Sequence, residues 1–107
     1  MNLDYAVDRL YLTGWTADEC AHHAVETLPD GRAFPSIPAI EQEFARAGLS
    51  LSIQHTPKFN CYRASWTPSD SLQDTSRAGT VIGACQREAA VYALAQLRNA
   101  EQPAVAN

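Results

Sequence analysis

Leu49-Ser50-Leu51-Ser52-Ile53-Gln54 is the stretch that decides the fold. Apolar and polar residues alternate with a period of two, the pattern of a β-strand that buries one face and wets the other. On its C-terminal side Pro57 interrupts, and Asn60-Cys61-Tyr62-Arg63-Ala64-Ser65-Trp66 alternates again. The reading is two antiparallel strands joined by a short turn at Thr56-Pro57-Lys58. Residues 67–79 are polar and turn-rich, with Pro68, Ser69, Asp70, Asp74 and Ser76, and are expected to form a long mobile hairpin loop. Thr80-Val81-Ile82-Gly83-Ala84 then supplies a short third strand.

On the N-terminal side of this stretch the period is helical. Ser36 is placed to cap a helix with Pro38 in its first turn, where a missing N–H costs little. Ile37, Ile40, Phe44 and Ala47 form one face, Glu41, Glu43 and Arg46 another, and Gly48 ends it. On the far side of the strands, residues 86–98 form an alanine-rich helix with Ala90, Ala93, Leu94 and Leu97 facing inward. Glu88 in its first turn and Arg98 in its last both suit the helix dipole.

The first 35 residues read as a helical and loop extension. Asn2 is a candidate cap for a helix in which Leu3, Ala6, Val7 and Leu10 recur at helical spacing through Leu12, with Gly14 as the stop. Thr16-Ala17-Asp18-Glu19 has capping-box form. A short helix to about Val25 competes there with a loosely docked loop, because the apolar face (Ala17, Cys20, Ala21, Ala24) is thin. Residues 28–38 hold three prolines and a Pro29-Asp30-Gly31 turn signal, and are expected to be a connection. Residues 99–107 contain Pro103 and are expected to be a flexible tail.

The predicted fold class is therefore α+β. A three-stranded antiparallel sheet is packed on one face by two helices over residues 36–98, preceded by an N-terminal helical extension, within one domain of residues 1–98. A chain of 107 residues has material for one core. Its 46% hydrophobic and 19% charged residues are those of a globular protein, not a disordered one.

The order of elements over residues 36–98, α-β-β-β-α, and the final helix with Glu88-Ala89-Ala90 and Ala93-Leu94 followed by Leu97, resemble the double-stranded RNA-binding domain. That resemblance implies an RNA face drawn from the first helix, the turn between the first two strands and the start of the last helix. The corresponding nucleic-acid contacts would be Lys58, Arg63 and Arg87. The chain departs from the family's pattern at those positions. Where the family has a lysine cluster, the residues are Cys85-Gln86-Arg87-Glu88; the turn reads His55-Thr56-Pro57-Lys58 without a glycine; and Glu41 and Glu43 add negative charge to the first helix. Duplex RNA is held largely through shape, 2′-OH and phosphate contacts.

Charge points the same way. Eight acids face three arginines before Gly48, and four acids face five cations after it, one of them a lysine. Such a surface has no general attraction for phosphate polymers. Cys20, Cys61 and Cys85, an odd number at wide spacing, are expected to be reduced, with one bridge as the alternative. Cys20 with His22 and His23 gives only one pair-like cluster, where zinc asks for two, so small core thiols and solvated histidines are expected. No motif marks a cysteine as a nucleophile beside His22, His23 or His55. Glu41 and Glu43 diverge on their helix, and no glycine-rich phosphate loop is present.

No catalytic residue, cofactor or metal is expected. The polar start, Met1-Asn2-Leu3-Asp4-Tyr5, lacks the charge and apolar run of a secretory signal, and no run nears the roughly 20 residues that span a bilayer, so a cytoplasmic location is expected. Tyr62 and Trp66 share a strand face and are expected in the core. Phe59, Trp15, Tyr5 and Tyr11 are the candidates for partial exposure, which can mark a partner site, but in a domain this small most aromatics are expected to be core. The functional expectation is a small non-enzymatic module that binds another protein or itself, as an accessory or inhibitor, through its acidic N-terminal extension and helices or a sheet edge. Weak RNA binding through Lys58, Arg63 and Arg87 is the alternative.

Overall fold

Backbone hydrogen bonding at Ser36 starts the helix that frames the sheet. A computed structural model of the chain describes residues 3–16, 25–69 and 78–101. The elements run α1 (Leu3–Leu12), β1 (Val25–Thr27), β2 (Ala33–Pro35), α2 (Ile37–Arg46), β3 (Leu49–Thr56), β4 (Cys61–Pro68), β5 (Gly79–Gly83) and α3 (Gln86–Glu101). Ser36 is extended and its Oγ accepts the Ala39 N–H at 3.4 Å, one of the donors a helix start leaves unpaired. Ala39, Ile40 and Phe44 are buried, with Ile37 and Ala47 packed at the margin. The chain then reverses at Gly48, whose carbonyl takes the Ser69 N–H at 2.8 Å and pins the open end of the β3–β4 pair.

The three-stranded sheet has the order β3-β4-β5, antiparallel throughout. Leu51 pairs with Trp66 and Ile53 with Ala64; Ala64 pairs in turn with Val81 and Trp66 with Gly79. Leu49, Ala64 and Trp66 are buried, with Leu51, Ile53, Tyr62 and Val81 half-buried against them. The opposite face carries Ser50, Ser52, Arg63 and Thr67, as the alternation requires. The Trp66 ring meets Phe44 of α2 at 5.4 Å between centroids, which locks the sheet to the helix layer.

Helix α3 is the centre of the molecule. Ala89, Ala90, Val91, Ala93, Leu94, Ala95 and Leu97 are all buried, because α1, α2 and the sheet each pack against it. Alanine suits such a position, since small side chains let several elements approach at once. Glu88 is 1% exposed, and its Oε1 accepts the Ala84 N–H at 3.2 Å ahead of the helix start. On α1, Ala6, Val7 and Leu10 are buried, but Leu12, at the end of the apolar run, is 77% exposed. Arg98 of α3 donates through Nε to Thr13 Oγ1 at 2.8 Å and ties the two helices together at their C-terminal ends.

Several expectations are corrected. Residues 25–35 are a two-stranded hairpin, not a plain connection: Glu26 pairs with Phe34 across the Pro29-Asp30-Gly31 turn. Asp30 Oδ1 accepts the Arg32 N–H at 2.9 Å within that turn, which is the main cause holding its carboxyl below the usual range. The hairpin is docked by an ion pair between Arg32 and Asp8 and by Tyr11 Oη donating to the Ala33 carbonyl at 2.6 Å. Val25 is thus a strand residue, not the end of a helix, and the rest of that proposed helix lies outside the described residues. Trp15, by contrast, takes the core position expected of most aromatics in a domain this small: it is 4% exposed, because the chain after Gly14 folds back over α1 with its ring against Tyr11 at 5.8 Å. Helix α3 continues to Glu101, past the expected start of a flexible tail. Thr67 and Pro68 extend β4 and Gly79 begins β5; the remainder of the expected loop, residues 70–77, lies outside the described residues. The described residues include no helix long and apolar enough to cross a membrane.

Two strand glycines are required by close approach. A Cβ on Gly79 would press into the Trp66 indole, and one on Gly83 would lie 2.6 Å from the Ala89 backbone nitrogen. An indole can tilt, whereas a helix backbone cannot retreat without moving α3. Gly83→Ala is therefore expected to destabilise the fold by about 2–3 kcal/mol and Gly79→Ala by about 1–2 kcal/mol, the range for overpacking a filled core. Urea denaturation of the two variants beside the parent checks both the size and the order.

Candidate functional site

The three cations that the sequence nominates do not share a face. Arg63 lies on the open side of the sheet, between Gln54 and Ile82, while its neighbours Tyr62 and Ala64 turn toward the helices. Lys58 sits in the β3–β4 turn with its ammonium 5.7 Å from the Phe59 ring centroid. Arg87 lies in the first turn of α3, and its Nε donates to Glu26 Oε1 at 2.7 Å, so its charge is matched by the β1–β2 hairpin. Glu88 beside it is buried and turned toward Ala84. Of the two acids on α2, Glu43 pairs with Arg46 at 2.7 Å, and Glu41 is exposed.

At this end of the domain Glu26, Ile37, Tyr62, Cys85, Gln86 and Arg87 surround an open cleft of about 440 Å³. Cys85 is exposed and Cys61 half-buried, and both are free thiols. Cys85 Sγ accepts the Glu88 N–H at 3.4 Å, so the thiol serves as a helix cap. His55 packs against Tyr62 at 4.8 Å and reaches Asn60 Oδ1 through Nε2 at 3.4 Å. Cys20, His22 and His23 lie outside the described residues. Among the described residues, no group of three His, Cys, Asp or Glu side chains is placed to hold a metal ion.

A second feature, on the other side of α3, escaped the sequence reading. Helix α1 rests on α3 beside the outer edge of β5, an edge with no paired strand among the described residues. Tyr5, Arg9 and Leu12 fall at i, i+4 and i+7, so they form one stripe along α1. Across from them stand Val81 and Ile82 of β5, with Tyr92 of α3 as the floor. Two contiguous hollows result. One, of about 440 Å³, is bounded by Tyr5, Thr80, Val81, Ile82 and Tyr92; the other, of about 260 Å³, by Arg9, Leu12, Val81, Tyr92, Gln96 and Asn99 among others. Tyr5 is 50% and Leu12 77% exposed along that stripe, while Ile82, 48% exposed, borders the hollow from the strand and shares the open face of the sheet with its pairing partner Arg63.

Tyr92 lines both hollows, but its hydroxyl is covered. That hydroxyl has no hydrogen-bond partner among the described residues. The Tyr92 ring meets Tyr5 edge-on at 6.1 Å. Burial above all, then Glu88 and Tyr5, pushes the phenol above its usual range, while Arg9 pulls it down. The stripe on α1 was open to sequence reading from its spacing. The orphaned hydroxyl was not, because it depends on where α1 docks.

Comparison with protein-family models, with curated proteins and with solved structures finds no match for this chain.

A buried hydroxyl without a partner loses its hydration and gains nothing in return. Tyr92→Phe is therefore expected to leave stability unchanged or raise it by up to about 1 kcal/mol, where loss of a satisfied internal hydrogen bond would cost about 1–3 kcal/mol. Chemical denaturation of the variant reads the sign directly.

Proposed function

We propose that the chain is a small non-enzymatic interaction module that binds another protein along the groove between α1 and β5. The observation that carries this reading is the pair of exposed apolar side chains Tyr5 and Leu12 on one stripe of α1, beside a β5 edge with no paired strand among the described residues. Each alone is ordinary, since singly exposed apolar residues are common on monomers. Their alignment along one groove, with backbone donors and acceptors of β5 running down one side, is what a docking surface needs. Added strands bind through main-chain hydrogen bonds for affinity and pockets for alternate side chains for specificity, and both halves of that arrangement are present.

An accessory or inhibitor role fits a module of this kind, since it acts by occupying another protein's surface. It needs no chemistry of its own. In the RNA reading, Lys58, Arg63 and Arg87 would have to act together, yet Arg63 projects from the other face of the sheet and Arg87 is paired with Glu26. Affinity for phosphate polymers comes from several cations neutralising neighbouring phosphates on one surface.

Two measurements test the reading. Peptides selected from a displayed random library against the whole chain are expected to shift the amide resonances of α1, β5 and Tyr92, and to lose binding to Leu12→Asp and Ile82→Glu while both variants keep the parent's melting temperature. Selected binders that instead shift the Lys58–Arg87 end would place the interaction surface elsewhere. In parallel, a labelled RNA duplex titrated at near-physiological salt is expected to show no saturable rise in anisotropy. Binding that persists there and weakens on Lys58→Ala and Arg87→Ala would replace the protein-binding reading with the nucleic-acid one.

A further inference from the structure

Helix α3 lies between α2 and α1, and only α2 and α3 cover the sheet: α2 packs on β3, while α3 packs on β4 and β5. Strands lie about 4.8 Å apart, so the axes of three strands span about 10 Å, whereas packed helices stand about 8–10 Å apart. Two helices therefore match the width of this sheet. The third, α1, extends beyond β5, and the space beneath it is about two strands wide. The groove is that space. Its walls are the Tyr5-Arg9-Leu12 stripe of α1 and the edge of β5 that has no paired strand among the described residues.

The width also limits what can enter. If two copies of the chain joined β5 to β5 in one continuous sheet, both α1 helices would have to occupy the same strip about 10 Å wide. A partner that brings its own helix layer to the edge on the same side of the sheet meets the same obstruction. An extended segment without a layer above it does not.

The polar groups of the groove specify the segment further. Arg9 is the one ionised side chain bordering its deeper hollow, and it is exposed, with no carboxylate partner among the described residues. Gln96 and Asn99 border the same hollow. The other hollow, along Tyr5, Val81 and Ile82, is apolar. Glu88 lies one turn before Tyr92, toward the apolar end, with its carboxylate directed at Ala84. Arg9 and the polar residues Gln96 and Asn99 thus lie toward the end of the groove where α3 terminates.

The geometry points to an extended acidic peptide segment as the occupant: it adds a fourth strand to β5 beneath α1, sets apolar side chains against Tyr5 and Val81, and places a carboxylate side chain beside Arg9. This inference rests on the reading of the groove as the chain's interaction surface, and it names the partner's chemistry. Main-chain bonds to β5 set the direction of the strand, and the charge-assisted contact to Arg9 fixes its register.

The test uses the full chain, isotopically labelled, and capped octapeptides in which valine alternates with threonine and one residue near the end is glutamate, glutamine or lysine. The glutamate peptide is expected to shift the amides of Thr80, Val81 and Ile82, to slow their hydrogen exchange, and to bind about tenfold more tightly than the glutamine peptide, the factor that one charge-assisted hydrogen bond supplies. Arg9→Gln is expected to abolish that tenfold difference while binding of the glutamine peptide is unchanged. Equal binding of all three peptides in the groove would overturn the acidic specificity and leave the interaction surface standing. Shifts confined to other surfaces, or no shift at millimolar peptide, would overturn both. Sedimentation of the parent as a dimer that Ile82→Glu dissociates would overturn the peptide assignment in favour of a second copy.

Discussion

Gly83 lies so near the backbone of Ala89 that even a methyl group would find the helix nitrogen 2.6 Å away. This contact sets how near β5 lies to α3, and from it the remaining spacings follow. With β5 held tight, β4 and β3 extend the sheet under α3 and α2, and Trp66 fills the layer between them against Phe44. On the other flank, α1 lies directly on α3. A larger residue at any of these points would spread the layers and open cavities that cost stability in proportion to their volume.

A helix packed on nearly all sides needs its ends satisfied from within. Residues Ala84 and Cys85 leave the strand and enter the helix in two steps, and the groups there cap one another. Glu88 reaches back to the Ala84 N–H, while the Cys85 thiol takes the Glu88 N–H. The sequence Cys85-Gln86-Arg87-Glu88 thus has a structural use for its cysteine and its acid, and Arg87 is engaged by Glu26 of the hairpin. This differs from a helix start that presents cations to a phosphate backbone. The hairpin that supplies Glu26 is itself bound to α1 through Arg32 and Tyr11, so the N-terminal third of the described chain is part of the core and not an appendage.

How much of this was legible depends on the length of each periodic signal. Eight-residue strands such as β3 and β4 repeat their alternation several times, and α2 carries a cap, a proline and a four-residue face, so each could be read from its own residues. The strands of the first hairpin are three residues long and hold a proline, which is too little to establish a period against the turn between them. Trp15 follows a helix stop and belongs to no periodic element, so its burial depends on a chain reversal that no local pattern records. Lys58, Arg63 and Arg87 could be nominated by type, but whether they share a surface depends on strand pleat and on Glu26, which is 61 residues away from Arg87.

The groove was the least legible feature, because it belongs to the mismatch between two layers and to no single segment. Helix α1 reads as an ordinary amphipathic helix whose apolar run ends at Leu12, and β5 as a short strand. Only when α1 is laid against α3 does Leu12 turn out to face water and Tyr5 to stand beside a strand edge. Natural sheets blunt such edges with charge, proline, bulges or a covering element. Here the described part of β5 is Gly-Thr-Val-Ile-Gly, with none of the first two, and α1 lies above the space next to it instead of filling that space. A helix held over an unblunted edge shields it from broad partners while admitting a narrow one. The same layer mismatch that leaves apolar surface exposed therefore also restricts what can cover it.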